Sequence, residues 1–267
     1  MNELMVSAGQ RALRLGVAPA RPKLVTFGIS HFCEKARWAL DWHGLPYEEI
    51  RWPLGAHRLL AKLYGARSTT LPILLDGTKV VQGSAEIVDW ADQQVQDRVL
   101  TVGKARDIEK RADNVIGVHV RRLSYAEMLP QYSCLVREAL FRNIPMTYRL
   151  VGKVTWPVTR RLMMQALDIR PGAAAESRAI LEAELDWLDN LLADSRSHLA
   201  GQSFSRADIA VASLLAPVAR PMEMPTFHSM SVPDSLVADF ERWRERPIMG
   251  WVLAQYRDHR SPRTSLR

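Results

Sequence analysis

The sequence predicts an α/β domain followed by an all-helical domain. Three observations lead there. Residues 23–97 carry strand and helix signals in the order strand, helix, strand, helix, strand, strand, helix. Within them Asp76-Gly77 sits between two apolar runs, the strongest short hairpin signal. From Lys104 onward no convincing strand appears, only apolar residues at helical spacing. The expected division is an extension at 1–22, an α/β domain at 23–97, a helical domain at 104–258 and a basic tail at 259–267.

Lys23 to Phe27 reads as the first strand and Gly28-Ile29 as a loop. Ser30 is placed to open a helix, where a hydroxyl satisfies one of four unpartnered N–H groups. Phe32, Ala36, Ala39, Leu40 and Trp42 form one face of it, with Glu34, Lys35, Arg37 and Asp41 on the other. Gly44 ends the helix and Pro46 follows, a normal stop. Tyr47 to Trp52 is the second strand. Pro72 begins the third, a position that tolerates a missing N–H and is a candidate for a cis bond. Ser84 is read as the cap of a helix through Ile87, Trp90, Ala91 and Val95. The Leu71 peptide groups at a strand edge and an anion site at that helix N-terminus suit a small peptide with a carboxylate.

The helical half begins past a boundary at Asp97–Lys104. Lys104 to Met128 reads as one long helix. Leu135 to Leu167 reads as another, interrupted at Pro145, Gly152 and Pro157. After a Pro171-Gly172 turn comes an amphipathic helix from Ala174 to Leu192. Ser205 and Asp208 form a capping box for Arg206 to Val218, with Phe204 and Ile209 as a hydrophobic staple. Leu236 to Trp243 and Ile248 to Tyr256 close the domain, Pro247 standing in a first helical turn.

Composition narrows the class. The chain has 267 residues, 47% hydrophobic, with a net charge of +7. No uninterrupted apolar run is long enough to span a bilayer, and residues 1–22 lack a secretory core. Two cysteines, Cys33 and Cys134, make neither a disulfide framework nor a zinc site, and a reducing, cytoplasmic setting is expected. The positive charge favours acidic small molecules. The basic residues are dispersed and no recognition motif accompanies them, so nucleic acid is not expected. Residues 141–161 hold Arg142, Arg149, Lys153, Arg160 and Arg161 with no acid, interleaved with Leu150, Val154, Trp156 and Val158. A solvated helix hairpin with a buried apolar side is expected there, ahead of a membrane-surface or acidic-ligand patch.

Four motifs in this order resemble the glutathione transferase superfamily. They are Ser30-His31-Phe32-Cys33-Glu34-Lys35-Ala36-Arg37, Thr70-Leu71-Pro72-Ile73-Leu74, Gly83-Ser84-Ala85-Glu86-Ile87, and Phe204-Ser205-Arg206-Ala207-Asp208. The resemblance implies a thioredoxin-like first domain, glutathione as cosubstrate, no metal, a small electrophile as second substrate and a homodimer. Carried over by position, Ser30 stabilises the thiolate. Leu71, before Pro72, offers its N–H and C=O to the cysteinyl part, and Ser84 holds the γ-glutamyl carboxylate. His57, with Arg58 or Arg67, meets the glycyl carboxylate. His119, Arg122 and Tyr125 line the second-substrate site. Gly83 departs from the pattern, because the superfamily usually has Glu or Gln there. The contact to the γ-glutamyl amine is then missing, or comes from Gln82 or a partner subunit.

The chemistry is within reach of one hydroxyl. Keeping a thiol of pKa near 8.5 ionised at neutral pH needs a shift worth about 2.7 kcal/mol, and one hydrogen bond to a charged group contributes about 1.5–3 kcal/mol. Cys33 competes as a nucleophile, since a cysteine in a first helical turn is acidified. Two other functions therefore stand beside conjugation: a thiol oxidoreductase using Cys33, and a non-catalytic binding protein on the same scaffold.

Overall fold

A computed structural model describes residues 21–142 and 144–260. The extension up to residue 20 and the tail from 261 lie outside the described residues. Strand β1 (Lys23–Thr26) leads through helix α1 (His31–Trp42) to a parallel β2 (Glu48–Arg51). Helix α2 (Ala56–Leu63) leads to the hairpin β3 (Ile73–Asp76) and β4 (Lys79–Gln82), and α3 (Ser84–Asp92) follows. The sheet order is β2-β1-β3-β4, with Val25 opposite Ile73 where β3 runs antiparallel to β1.

Alternation along the strands divides the core. Leu24, Leu74 and Val81 face Ala36, Leu40, Ile87 and Trp90 of α1 and α3. Val25, Ile73 and Leu75 face Ala61 of α2. The thioredoxin-like sheet is thus covered on both sides.

The helical half begins with α4 (Ala105–Arg111), a π-helical turn (Ala112–Ile116) and α5 (Gly117–Met128), so the single expected helix contains a bulge. Then come α6 (Ser133–Leu140), α7 (Met146–Ala166), α8 (Ala173–Leu191), α9 (Arg206–Ala219), the short α10 (Pro225–His228), α11 (Asp234–Arg244) and α12 (Pro247–His259). α10 was not expected from the sequence. Helix α7 runs through Gly152 and Pro157, against expectation. Gly152 sits where a Cβ would collide with the Phe141 ring. Pro157 is exposed, so the carbonyl it leaves unbonded is accessible to water.

Two further corrections concern faces. The polar side of α1 is not solvated: Glu34, Lys35, Arg37 and Asp41 are all buried, because the helical domain packs over it. Lys35 Nζ lies 2.6 Å from Asp113 and 2.7 Å from Glu109, and Arg206 of α9 pairs with Glu109 and Asp89. Arg260 closes the chain onto the same helix, 2.8 Å from both Glu34 and Asp41. On α7 the buried side is narrow, with Gly152 and Trp156. Of the apolar residues expected on a buried side Trp156 is buried, whereas Leu150, Val154 and Val158 face outward and are exposed, as is Val151.

Candidate functional site

Ser30 ends the loop after β1, and its Oγ accepts the Cys33 N–H at 3.3 Å, capping α1. The same hydroxyl also lies within hydrogen-bond reach of the Cys33 thiol. Across from it the Leu71–Pro72 bond is cis. Ser30 and Leu71 line one cavity of about 440 Å³ together with Phe27, His57 and Arg58, and with Arg121, Tyr125 and Met128 of α5 and Thr159, Met163 and Ala166 of α7. The cavity therefore lies between the sheet domain and the helical domain. Gly117 permits that closeness, since a Cβ there would sit 2.7 Å from Phe32 and 2.9 Å from Leu214.

Two histidines in the lining are neutral. His31 Nε2 donates to Gly117 O at 3.0 Å, and burial, with Arg121 nearby, lowers its pKa to about 3. It thereby joins the two domains. His57 Nδ1 accepts the Gly55 N–H at 3.0 Å, which leaves Nε2–H as a donor. Burial and then Arg58 lower the His57 pKa to about 4. Burial raises Tyr125 to about 12, so it too is neutral.

Cys33 does not reach the cavity. It is fully buried behind Ser30 and outside the cavity lining, and burial pushes its thiol up. The acidifying effect of the first turn is outweighed by desolvation. His119 and Arg122 are also outside the lining: His119 Nδ1 is 3.2 Å from Ser177 Oγ, and Arg122 pairs with Asp168 and Glu176. They serve packing of α5 against α8. The cavity side of α5 carries Arg121, Ser124, Tyr125 and Met128. Arg121 was missed, although it lies one helical turn before Tyr125 and shares its face.

Ser84 and Gly83 form the separate corner at the α3 N-terminus. Gly83 is the cap, with φ +105, and Ser84 is the first helical residue, not the cap expected. Ser84 is buried and, with Pro72, lies outside the main cavity lining. Gln82 is committed elsewhere: its Nε2 donates to Ser68 O at 2.6 Å and Thr70 O at 3.1 Å, and its Oε1 accepts the Ser68 N–H. It braces the loop before Pro72 and is not offered to a ligand. A different acid takes the vacated space. A Cβ on Gly83 would collide with the Glu86 carboxylate, which folds back over the cap. Arg67 approaches that carboxylate at 3.9 Å.

Residues 24–98 match the family model for the N-terminal domain of glutathione S-transferase. Residues 24–98 are thereby identified as a glutathione S-transferase N-terminal domain. Solved structures extend the likeness to the helical domain. A glutathione S-transferase of Ceriporiopsis subvermispora in complex with glutathione is 18% identical, with a TM-score of 0.61 over 91% of this chain and 99% of its own. A glutathione transferase of Phanerochaete chrysosporium is 15% identical, with a TM-score of 0.63 over 90% and 97%. A beta-etherase of Sphingobium sp. is 18% identical, with a TM-score of 0.55 over 88% and 100%. At these identities the structures share the fold. No curated relative matches the chain by sequence. Among the described residues no cluster suited to a metal ion occurs, and no helix is long and apolar enough to cross a membrane.

Proposed function

We propose that the protein conjugates glutathione to an apolar electrophile by direct thiolate attack, with Ser30 as the thiolate stabiliser. The observation that carries this reading is a helix-capping hydroxyl in the same cavity as the residue before the cis proline. The cysteinyl part pairs with the Leu71 peptide as a strand adds to an edge. The His57 Nε2–H and Arg58 meet the glycyl carboxylate. Ser84 and the α3 N-terminus take the γ-glutamyl carboxylate, and Glu86 takes the amine that Gly83 no longer serves. Bound there, glutathione gives up its thiol proton to solvent. The sulfur then attacks the electrophilic carbon, a C–S bond forms, and the leaving group departs with its electron pair. A cytoplasmic homodimer belongs to this reading on the superfamily resemblance alone.

The oxidoreductase alternative loses support because Cys33 is buried behind Ser30. The non-catalytic alternative rests on Gly83 and is addressed by the same experiment. Thiolate absorbance of bound glutathione and turnover of an aryl chloride are measured for the wild type and Ser30→Ala. Conjugation is supported if Ser30→Ala raises the thiol pKa by about one to two units, as loss of a charge-assisted hydrogen bond requires, and turnover falls in parallel. Glutathione binding without turnover of any electrophile would establish the binding protein instead.

A further inference from the structure

Arg121 is a cation without an anion. Its Nε is buried and has no hydrogen-bond partner. Among the described residues no carboxylate lies within ion-pair distance of its guanidinium, which stands over the Phe32 ring, 5.7 Å from its centre. The rest of the lining does not compensate it. Among the described residues no acidic side chain lines the cavity, and the other titratable groups there are Arg58 and the neutral His31, His57 and Tyr125. Around them stand the apolar Phe27, Met128, Leu162 and Met163. A half-buried guanidinium whose Nε has no partner is costly, and the cost is recovered when an anion arrives.

From this we propose that the acceptor is an apolar molecule bearing a carboxylate, sulfonate or similar anion, which pairs with Arg121 while its apolar body fills the cavity against α7. The proposal rests on the conjugation reading for the identity of the site as an acceptor pocket, yet its binding test does not need turnover.

Anilinonaphthalene sulfonate and the uncharged N-phenylnaphthylamine share their rings and differ in the anion. Their affinities for the full-length protein are measured by fluorescence for wild type, Arg121→Met and Arg121→Lys. A charge-assisted pair predicts a preference of roughly ten- to a hundredfold for the sulfonate. Arg121→Met abolishes it and Arg121→Lys keeps most of it. A second arm compares turnover of a chloronitrobenzoate with that of its benzamide. Arg121→Met raises KM for the benzoate and leaves the benzamide unchanged. If no electrophile turns over but the dye preference depends on Arg121, the conjugation reading fails and the anion site stands. Equal affinity for the two dyes, or a preference unmoved by Arg121→Met, overturns the proposal. So does an equal loss of turnover on both acceptors with a raised thiol pKa, which would assign Arg121 to the thiolate.

A different observation carries a second inference. The outward side of α7 holds Leu150 (66% exposed), Val154 (76%) and Val158 (65%) one turn apart, flanked by Val151. Alongside them Arg142, Arg149, Lys153 and Arg161 are exposed and have no ion pair among the described residues. From residue 139 to 167 the sequence contains no acid. A row of apolar residues bordered by lysine and arginine is the pattern of a helix lying in an anionic lipid interface. A second copy of the chain is a poorer occupant, because a two-fold contact through this face sets each basic row against itself.

We infer that α7 docks the protein on anionic membrane surface. Flotation of the full-length protein is measured with phosphatidylcholine vesicles and with equal parts phosphatidylcholine and phosphatidylglycerol. The wild type floats only with the anionic vesicles, less so at high salt. Val154→Asp with Val158→Asp stays unbound at an unchanged melting temperature. No flotation at low salt, or flotation that this variant leaves intact, overturns the inference. A dimer in light scattering that the variant dissociates also overturns it, assigning the face to a second copy.

Discussion

Lys35 Nζ lies 2.6 Å from Asp113 Oδ2 with the ammonium wholly shut off from solvent. A cation of α1 is thereby neutralised by the π-helical turn of the other domain. The same nitrogen reaches Glu109, which is shared with Arg206. Removing one partner of a buried pair leaves the other uncompensated. Lys35→Met should cost about 3–5 kcal/mol in denaturant unfolding. Adding Asp113→Leu should recover part of the loss. A single variant as stable as wild type would mean that water enters this interface.

Placing at position 83 the acid that the resemblance leads one to expect should harm this protein. Gly83 has φ +105, and a side chain there meets the Glu86 carboxylate. Gly83→Glu should lower stability by about 1–3 kcal/mol and weaken glutathione binding in calorimetric titration. Tighter binding would show that the cap can relax.

Glu86→Gln isolates the substitute acid. If its carboxylate holds the γ-glutamyl amine, affinity for glutathione should drop about tenfold, the effect of one charge-assisted bond. Glu86 also complements the positive end of α3, worth about 0.3–1 kcal/mol. A variant with reduced melting temperature and unchanged affinity would leave only that second role.

Stability should fall with acid well before the carboxylates titrate. His31 has its pKa lowered from 6.5 to about 3 in the folded protein. As pH drops below 6.5 the unfolded chain takes up this proton and the folded one does not. The stabilisation is therefore complete above that pH and is lost toward 3, by about 1.4 kcal/mol per unit. Between pH 6 and 5, where histidines dominate, His31→Gln should flatten the dependence of unfolding free energy on pH by about that slope. Parallel curves for the two proteins would show that His31 is charged when folded.

Asp208 anchors α9 through three bonds, from Leu199 N, Ser205 N and Ser205 Oγ, at 2.7–2.8 Å. Asp208→Ala should destabilise the fold by about 2 kcal/mol or more, while each folded molecule keeps its glutathione affinity. An unchanged melting temperature would count against the capping role.

Elements whose signal is local were legible in the sequence. The Asp76-Gly77 hairpin, the Ser30 cap, the break at Pro145 and the Ser205–Asp208 box each depend on residues within a few positions of one another. Elements set by distant packing were not. Glu34, Lys35, Arg37 and Asp41 look like a solvated helix face until Arg260, Asp113 and Glu49 arrive from elsewhere in the chain. Spacing alone could not separate Arg121 from Arg122, neighbours on one helix that face a cavity and a salt bridge respectively. Gly83 was visible as a departure. The placement of Glu86 over it depends on a backbone angle that the letters do not state.

The burial of α1 on every side bears on how the protein can be cut and recombined. Expressed alone, the segment through α3 would present Lys35 to water, along with Glu34 and Asp41 stripped of Arg260. Trp38 would lose the main-chain acceptor at His259 that its indole now reaches. The thioredoxin-like half is therefore a poor excised fragment. A chimera that keeps it and borrows a relative's helices must also transplant Glu109, Asp113, Arg206 and Arg260 as a set.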